Sequence, residues 1–361
     1  MKNTYFTPGP AELYPTFYQH LQTAMDEQVG SISHRSQRFR DIYRYTDEQL
    51  RELLTIPASH GIYFTGSASE VWERILLNCV EHESFHAVNG SFSHKFFDYA
   101  QSLHKFAHIA EKPFGEGFDA ADLEVPEYAE LVALTHNETS SGVQLRPTEI
   151  HKLKRKYSKK LFCVDMVSSA PYPDLDYSLV DSAFFSVQKA FGMPAGLGVW
   201  IANDRCLEQA ERLQQYESMT IGAHHTLPVL HKHYQTFETP ATPNVLYIYL
   251  LGKIAADFNR IGINTIRKQT EDKARQVYRF LETNSAYSPF VTEERHRSQT
   301  VLVAKTNARP AAEVIAAVKK SGMILGSGYG NFKEGQIRIA NFPATTADQV
   351  GALLNQLKAI E

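Results

Sequence analysis

A lysine, an aspartate and a small-residue turn each fall at the end of a short apolar run. Lys189 comes just after the run AFFSV and precedes AFGMPAG. Lysine normally keeps to solvated faces, so one tucked against a buried strand is unusual. Desolvation lowers the pKa of such an amine and makes it a nucleophile toward carbonyl carbon. Asp165 directly follows the apolar run LFCV, where a carboxylate either seeks a cation or serves as a turn former. Residues 65–69 (TGSAS) lead into a helical pattern. The free amides of a helix N-terminus favour an anion such as phosphate, although small residues are common at such turns for structural reasons alone. Phe92, in NGSFS, offers either a stacking face or ordinary helix packing. Together these are the parts that pyridoxal phosphate requires: an amine to hold it covalently, a carboxylate to keep its ring nitrogen protonated, a helix N-terminus for its phosphate and a ring to stack on it.

The elements that would position these residues alternate. Apolar β-prone runs at 61–64, 86–89, 131–134, 161–164 and 182–185 are each followed by a small or polar loop, with a helical pattern after most of them and a further strand at 198–202. Amphipathic helices are expected over 16–28 and 36–54, after an extended, proline-rich lead-in over 4–15. The pattern predicts an α/β fold with a doubly wound, mostly parallel sheet and the site at the carboxyl ends of its strands. A loop-rich stretch over 222–244 then precedes a long helical pattern from 245 toward 283, broken around Gly262. Strands at 300–306 and 336–342, a helix from Pro310, a glycine-rich turn between them and a closing helix complete a smaller α+β unit. The expected division is a large cofactor-binding domain over 16–244, and a small C-terminal domain over 245–361 joined by the N-terminal segment 1–15.

Composition narrows the class. The chain has 361 residues, 37 basic against 40 acidic side chains, 43% hydrophobic residues and 21% charged ones. That is ordinary for a globular protein and leaves no basic excess for phosphates along a nucleic acid, so no nucleic-acid partner is expected. No apolar run approaches a membrane span and no signal-like start appears, so no membrane partner is expected either. Three cysteines at wide spacing, Cys79, Cys163 and Cys206, make no disulfide framework and fit a reducing cytoplasm. Fifteen histidines include a cluster at His224, His225, His231 and His233. With no HExxH pattern or cysteine partner these read as surface or interface histidines, and no metal is expected.

The chain resembles the class V, fold type I pyridoxal-phosphate aminotransferases, closest to the group of phosphoserine and serine/alanine–glyoxylate enzymes. The likeness runs along nearly the whole chain, through FTPGP near the start, SHRS at 33–36, TGSAS, NGSFS, HNETSSG at 136–142, DMVSS at 165–169, SVQKAFG at 186–192, ETPAT at 238–242 and QIRIANF at 336–342. It implies that Lys189 carries the cofactor and shuttles the proton, that Asp165 pairs with the pyridine nitrogen, and that Phe92 stacks on the ring where the phosphoserine enzymes usually have tryptophan. It implies that Thr139 lies near the cofactor's 3-oxygen and that Ala68, Ser69 and Gln188 hold the phosphate. Thr239 would reach that phosphate from the partner subunit of a homodimer with a shared active site. Glu238 departs from the asparagine form of that motif. Arg338 would grip the substrate α-carboxylate in a bidentate fork.

His34 and Arg35 would help receive a distal anion. The phosphoserine branch also carries a second His-Arg pair shortly before the carboxylate arginine. Here the stretch over 329–333 has none, and Lys333 is either a substitute point charge or a solvated turn lysine. The implied reaction is a ping-pong transamination of small amino and keto acids. The phosphoserine/2-oxoglutarate pair of serine biosynthesis comes first, and serine or alanine with glyoxylate or pyruvate is the alternative. Desulfurases of the same fold need a cysteine in the second domain, and none follows Cys206.

Overall fold

A computed structural model describes residues 3–216 and 219–360. The chain opens with a short strand, β1 (Thr4–Phe6), and passes through helices Phe17–Asp26 and Gln37–Leu54. The second helix starts where the pattern predicts, because the Ser36 hydroxyl accepts the Phe39 amide at 3.2 Å. Strands β2 (His60–Thr65), β3 (Glu83–Val88), β4 (Phe106–Glu111) and β5 (Leu131–Thr135) follow. A two-residue ladder joins β6 (Asn137–Glu138) to β7 (Val143–Gln144). Then come β8 (Leu161–Asp165), β9 (Ser182–Ser186) and β10 (Gly198–Asn203).

Seven of these strands form one sheet in the order β2-β10-β9-β8-β5-β3-β4. β10 runs antiparallel to both its neighbours, and β9, β8, β5, β3 and β4 run parallel. The inner strands read as continuous apolar runs because both faces are covered. Along β10, Val199 and Ile201 enter one apolar core while Trp200 and Ala202 enter the other. In β9, Ala183 and Phe185 face the first core and Phe184 the second, the two-residue alternation of a strand. This is an α/β architecture with a mixed, mostly parallel sheet, and the carboxyl ends of β2, β3, β5, β8 and β9 share one edge.

The remaining strands are β11 (Tyr287–Pro289), β12 (Val301–Thr306), β13 (Met323–Ser327) and β14 (Gln336–Ala340). They form a second sheet in the order β1-β13-β14-β12-β11, so the N-terminal segment adds a parallel edge strand beside β13. The lead-in therefore contains a strand where only extended chain is expected. Ile337 and Ile339 of β14 enter this sheet's core with Leu302, Val314 and Leu353. Arg338 lies between them and so points to the other face.

The long helical stretch is two helices, Val245–Ile261 and Ile263–Thr283, parted at Gly262. Ile248, Leu250, Leu251 and Ile254 of the first pack into the core of the large sheet, whereas Ala274, Val277 and Leu281 of the second pack against the small one. The apolar packing changes partner along the second helix, between Ile266, which still enters the large sheet's core, and Ala274. No helix among the described residues is long and apolar enough to cross a membrane. Cys79, Cys163 and Cys206 are buried free thiols.

Candidate active site

Lys189 lies just beyond β9 and is buried. Its Nζ donates to the Thr139 hydroxyl at 3.0 Å and sits 5.2 Å from the centre of the Phe92 ring. Burial lowers its pKa to about 8, against the opposing pull of Asp165 and Glu138 and with some help from Arg338. The N-terminal FTPGP segment covers its alkyl chain. Gly9 has φ +125°, and a Cβ there would stand 2.9 Å from Lys189 Cε, so only glycine allows this closeness.

Asp165 ends β8 and is buried. The Val167 amide donates to its Oδ1 at 2.9 Å and the Trp72 indole to its Oδ2 at 3.2 Å. Burial nevertheless pushes its pKa up to about 6, opposed by the Val167 amide, the Lys189 charge and the Trp72 N–H. A buried carboxylate that is costly to ionise is a seat for a cation. Trp72, on the helix Ala68–Cys79, carries no sequence signal of this contact because it reads as part of that helix's apolar face.

Phe92 opens the helix Ser91–Ser102 at the end of β3. Its position is set by Glu138, a fully buried carboxylate. Glu138 accepts the amides of Ser93 (2.8 Å), Phe92 (3.2 Å) and Ser140 (3.0 Å), together with the hydroxyls of Ser93 (2.9 Å) and Ser140 (2.6 Å). An anion on the first amides of a helix compensates both the unpaired donors and the macrodipole. Gly90 makes room for it, since a Cβ there would fall 2.3 Å from Glu138 Cγ. The motif HNETSSG points to Thr139 next door, and nothing local in it marks Glu138 as buried.

The Ala68 amide donates to the Ser186 hydroxyl at 2.9 Å, which ties the first turn of the helix Ala68–Cys79 to the end of β9. Ser69 is exposed in that turn, and Gln188, half-buried, lies on the segment leading to Lys189. From the small sheet, Arg338 donates Nε to the Ser327 carbonyl at 2.7 Å and Nη1 to the Thr139 carbonyl at 3.2 Å. Thr139 therefore touches Lys189 through its hydroxyl and Arg338 through its carbonyl. Arg338 also faces the Tyr329 ring at 5.4 Å, and that ring meets Phe92 at 5.3 Å.

A second group of expected site residues gathers elsewhere. Arg35 donates to the Thr239 carbonyl at 2.9 Å, to Glu238 at 3.1 Å and to the Pro240 carbonyl at 3.3 Å. Arg40 pairs with the other Glu238 oxygen. Glu238 thus clamps two arginines beside a buried Thr239, whose hydroxyl has no partner among the described residues. His34 is half-buried in the same turn. None of the hydrogen bonds among the described residues joins His34, Arg35 or Thr239 to Lys189 of its own chain. Lys333 lines a groove with Pro310, Ile315 and Lys319, and no ion pair joins it to the cleft among the described residues.

The histidine cluster divides. His225 pairs with Glu70 at 2.5 Å, His231 with the Tyr63 hydroxyl at 3.0 Å, and His233 lies 3.8 Å from Glu238. Glu70, His224 and His225 bring potential ligand atoms within 4.8 Å of one another.

The residues of the cleft fit pyridoxal phosphate. The amine is desolvated, the buried carboxylate has only neutral hydrogen-bond donors, and a helix N-terminus and an aromatic face stand beside them. Fold and site together define a fold type I pyridoxal-phosphate enzyme. The sequence pattern described as aminotransferase class-V matches residues 7–350, and the chain belongs to that family. A phosphoserine aminotransferase from Rhodococcus opacus (strain B4) is 24% identical over 98% of this chain and 93% of its own length. A crystal structure of a phosphoserine aminotransferase from Cytophaga hutchinsonii ATCC 33406 is 46% identical, with TM-score 0.96 over 99% of this chain and 98% of that one. The alanine–glyoxylate aminotransferase of Nostoc sp. shares the fold at TM-score 0.86, with 20% identity over 100% of this chain and 95% of that one. The protein is a pyridoxal-phosphate-dependent transaminase, and its substrates are small amino and keto acids.

Proposed function

We propose that this transaminase exchanges the amino group between O-phosphoserine and 2-oxoglutarate, giving 3-phosphohydroxypyruvate and glutamate by a ping-pong course. Its place would be serine biosynthesis in the cytoplasm. The observation that carries the substrate is the 46% identity over 99% of the chain to a phosphoserine aminotransferase. Pyridoxal phosphate supplies the electron sink that makes the substrate Cα–H acidic.

The chain's own residues would do the rest. Lys189 Nζ takes the Cα proton and returns it, which suits an amine whose burial keeps it near neutral pH. Asp165 holds the ring nitrogen protonated, Phe92 stacks on the ring, and Ala68, Ser69 and Gln188 receive the phosphate. Arg338, held through Nε and Nη1 by the Ser327 and Thr139 carbonyls, would receive the α-carboxylate on its remaining N–H groups. His34, Arg35 and Thr239 would serve the site of a partner subunit in a homodimer. The unpartnered Thr239 hydroxyl and the Glu238 clamp that presents it support that reading.

The alternative, serine or alanine with glyoxylate or pyruvate, is favoured by one feature, the lack of a second His-Arg pair over 329–333. Half-reactions decide between them. The yellow holoenzyme is mixed with phosphoserine, serine, alanine or glutamate and the loss of the cofactor band is timed. Phosphoserine is expected to react fastest of the donors. Inert phosphoserine beside reactive alanine or serine overturns the proposal.

A further inference from the structure

We propose that Lys95 and Tyr329 form the subsite for the distal anion of the substrate, the phosphate or carboxylate at the far end of its side chain. The inference rests on the transaminase reading above and deepens its substrate assignment. A substrate held at its α-carboxylate by Arg338 and at its amino group near Lys189 leaves its side chain as the third point of recognition. A phosphorylated or dicarboxylic substrate needs a cation there. Lys333 lines another groove. His34 and Arg35 would serve the site of a partner subunit, and no second His-Arg pair stands over 329–333 to supply a cation from this chain's own cleft.

Lys95 lies one helical turn beyond Phe92, so the two side chains share a face of the helix Ser91–Ser102. Its Nζ stands 5.4 Å from the centre of the Phe92 ring and 3.2 Å from the Tyr329 hydroxyl. Tyr329 in turn meets the Arg338 guanidinium and the Phe92 ring. One ring thus runs from the α-carboxylate grip to the Lys95 ammonium. Lys95 has no ion pair with a carboxylate among the described residues, and it is exposed.

The donor count is suited to an oxyanion. An ammonium has three donors, and one is used on the Tyr329 oxygen. Two remain, and the tyrosine keeps its own hydroxyl hydrogen to donate. Helix Ser91–Ser102 packs on the large sheet and Tyr329 follows β13 of the small one, so an anion bound here would be gripped from both sides of the cleft. A compact ammonium tolerates either phosphate or carboxylate, because it lacks the planar fork that selects between oxyanion shapes. That lets one subsite serve both halves of a ping-pong cycle.

The test compares holoenzyme carrying Lys95→Met, Lys95→Arg and Tyr329→Phe with the unaltered protein. Half-reaction kcat/KM is read for phosphoserine and glutamate, each as a ratio to alanine, which has no distal anion. Lys95→Met is expected to lower both ratios roughly 10- to 100-fold, and Tyr329→Phe by less, as for the loss of one charged hydrogen bond. Lys95→Arg is expected to restore most of the preference. A general loss of folding or cofactor would lower all donors alike and leave the ratios unmoved. Unmoved ratios in Lys95→Met overturn the subsite. If the unaltered protein uses glutamate but not phosphoserine, the glutamate ratio still decides on Lys95 while the phosphoserine assignment falls. Preference for alanine over both anionic donors in the unaltered protein overturns the subsite as well.

Discussion

The indole N–H of Trp72 donates to Oδ2 of Asp165 at 3.2 Å, on the oxygen opposite the one held by the Val167 amide. The two donors fix the carboxylate's plane from behind. They do not offset its burial, which still holds its pKa near 6. Trp72→Phe keeps the packing surface and removes one donor. It is expected to weaken retention of pyridoxal phosphate roughly tenfold, the scale of one hydrogen bond to a charged group. Absorbance titration of the apoprotein measures this, and unchanged retention removes Trp72 from that duty.

The same carboxylate makes the cofactor-free protein pH-sensitive. An aspartate with a folded pKa of about 6, against 3.8 ordinarily, binds its proton more tightly folded than unfolded. Its ionisation then costs stability. The cost is absent below about pH 4, grows between about 4 and 6, and is complete above that. In apoprotein, Asp165→Asn is expected to gain about 1–3 kcal/mol at neutral pH in denaturant unfolding, with the gain fading as the pH falls toward 4. The same variant is expected to lose activity. A destabilised apoprotein at neutral pH would show that the buried charge is better compensated than its neighbours suggest.

Lys189 sets a second pH dependence. A neutral amine is needed to capture the cofactor, and burial places the pKa at about 8. The rate of pyridoxal-phosphate uptake by apoprotein is expected to rise with pH and level off above about 8. A free lysine would keep climbing toward its ordinary 10.5. Stopped-flow absorbance across the range reads the plateau directly. A rate still rising at pH near 10 contradicts the desolvated amine.

Glu138 adds to the last two. It stabilises the first turn of the Phe92 helix and raises the Lys189 pKa. Glu138→Gln keeps the shape and loses the charge. It is expected to cost about 2–3 kcal/mol in unfolding, since a charged acceptor for several buried donors is lost. It is also expected to move the cofactor-uptake plateau to lower pH. A plateau that stays in place, in a protein that folds, would mean that the Glu138 charge is screened from Lys189.

These residues were unequally legible. Lys189 and Asp165 stand directly after apolar strands, and strand ends in a doubly wound sheet share one edge, so the local pattern locates both. Glu138 sits beside Thr139 in the same short motif, yet its burial depends on Gly90 and on a helix start far away in sequence. No local pattern carries that. Strand β4 escaped because it is an edge strand with Phe106 and Ile109 exposed, which erases the apolar run. The direction of Lys333 is set by a glycine-rich turn, where no periodicity says which way a side chain points. Lys95 reads as one more polar residue of an amphipathic helix until Tyr329 is brought against it from the other sheet.

The Glu238 clamp leads to a prediction about sharing between subunits. Within one chain, Thr239 and Arg35 form a unit apart from Lys189, and Glu238 holds that unit by pairing with Arg35 and Arg40. If the unit completes the partner's site, a Lys189→Ala chain spoils its own amine while leaving intact the loop it lends. An Arg35→Ala, Thr239→Ala double variant spoils the loop and keeps the amine. Each homodimer is expected to be nearly inactive. A mixed dimer would hold one site with both parts intact, so co-refolded equal mixtures are expected to recover roughly a quarter of normal activity, from half the dimers and one site in each. No recovery, with mixed dimers demonstrated by differential tagging, would place Thr239 and Arg35 in service to their own subunit. In that case the loop must swing toward its own Lys189, and Glu238→Ala, by releasing both arginines, is expected to raise activity in place of lowering it.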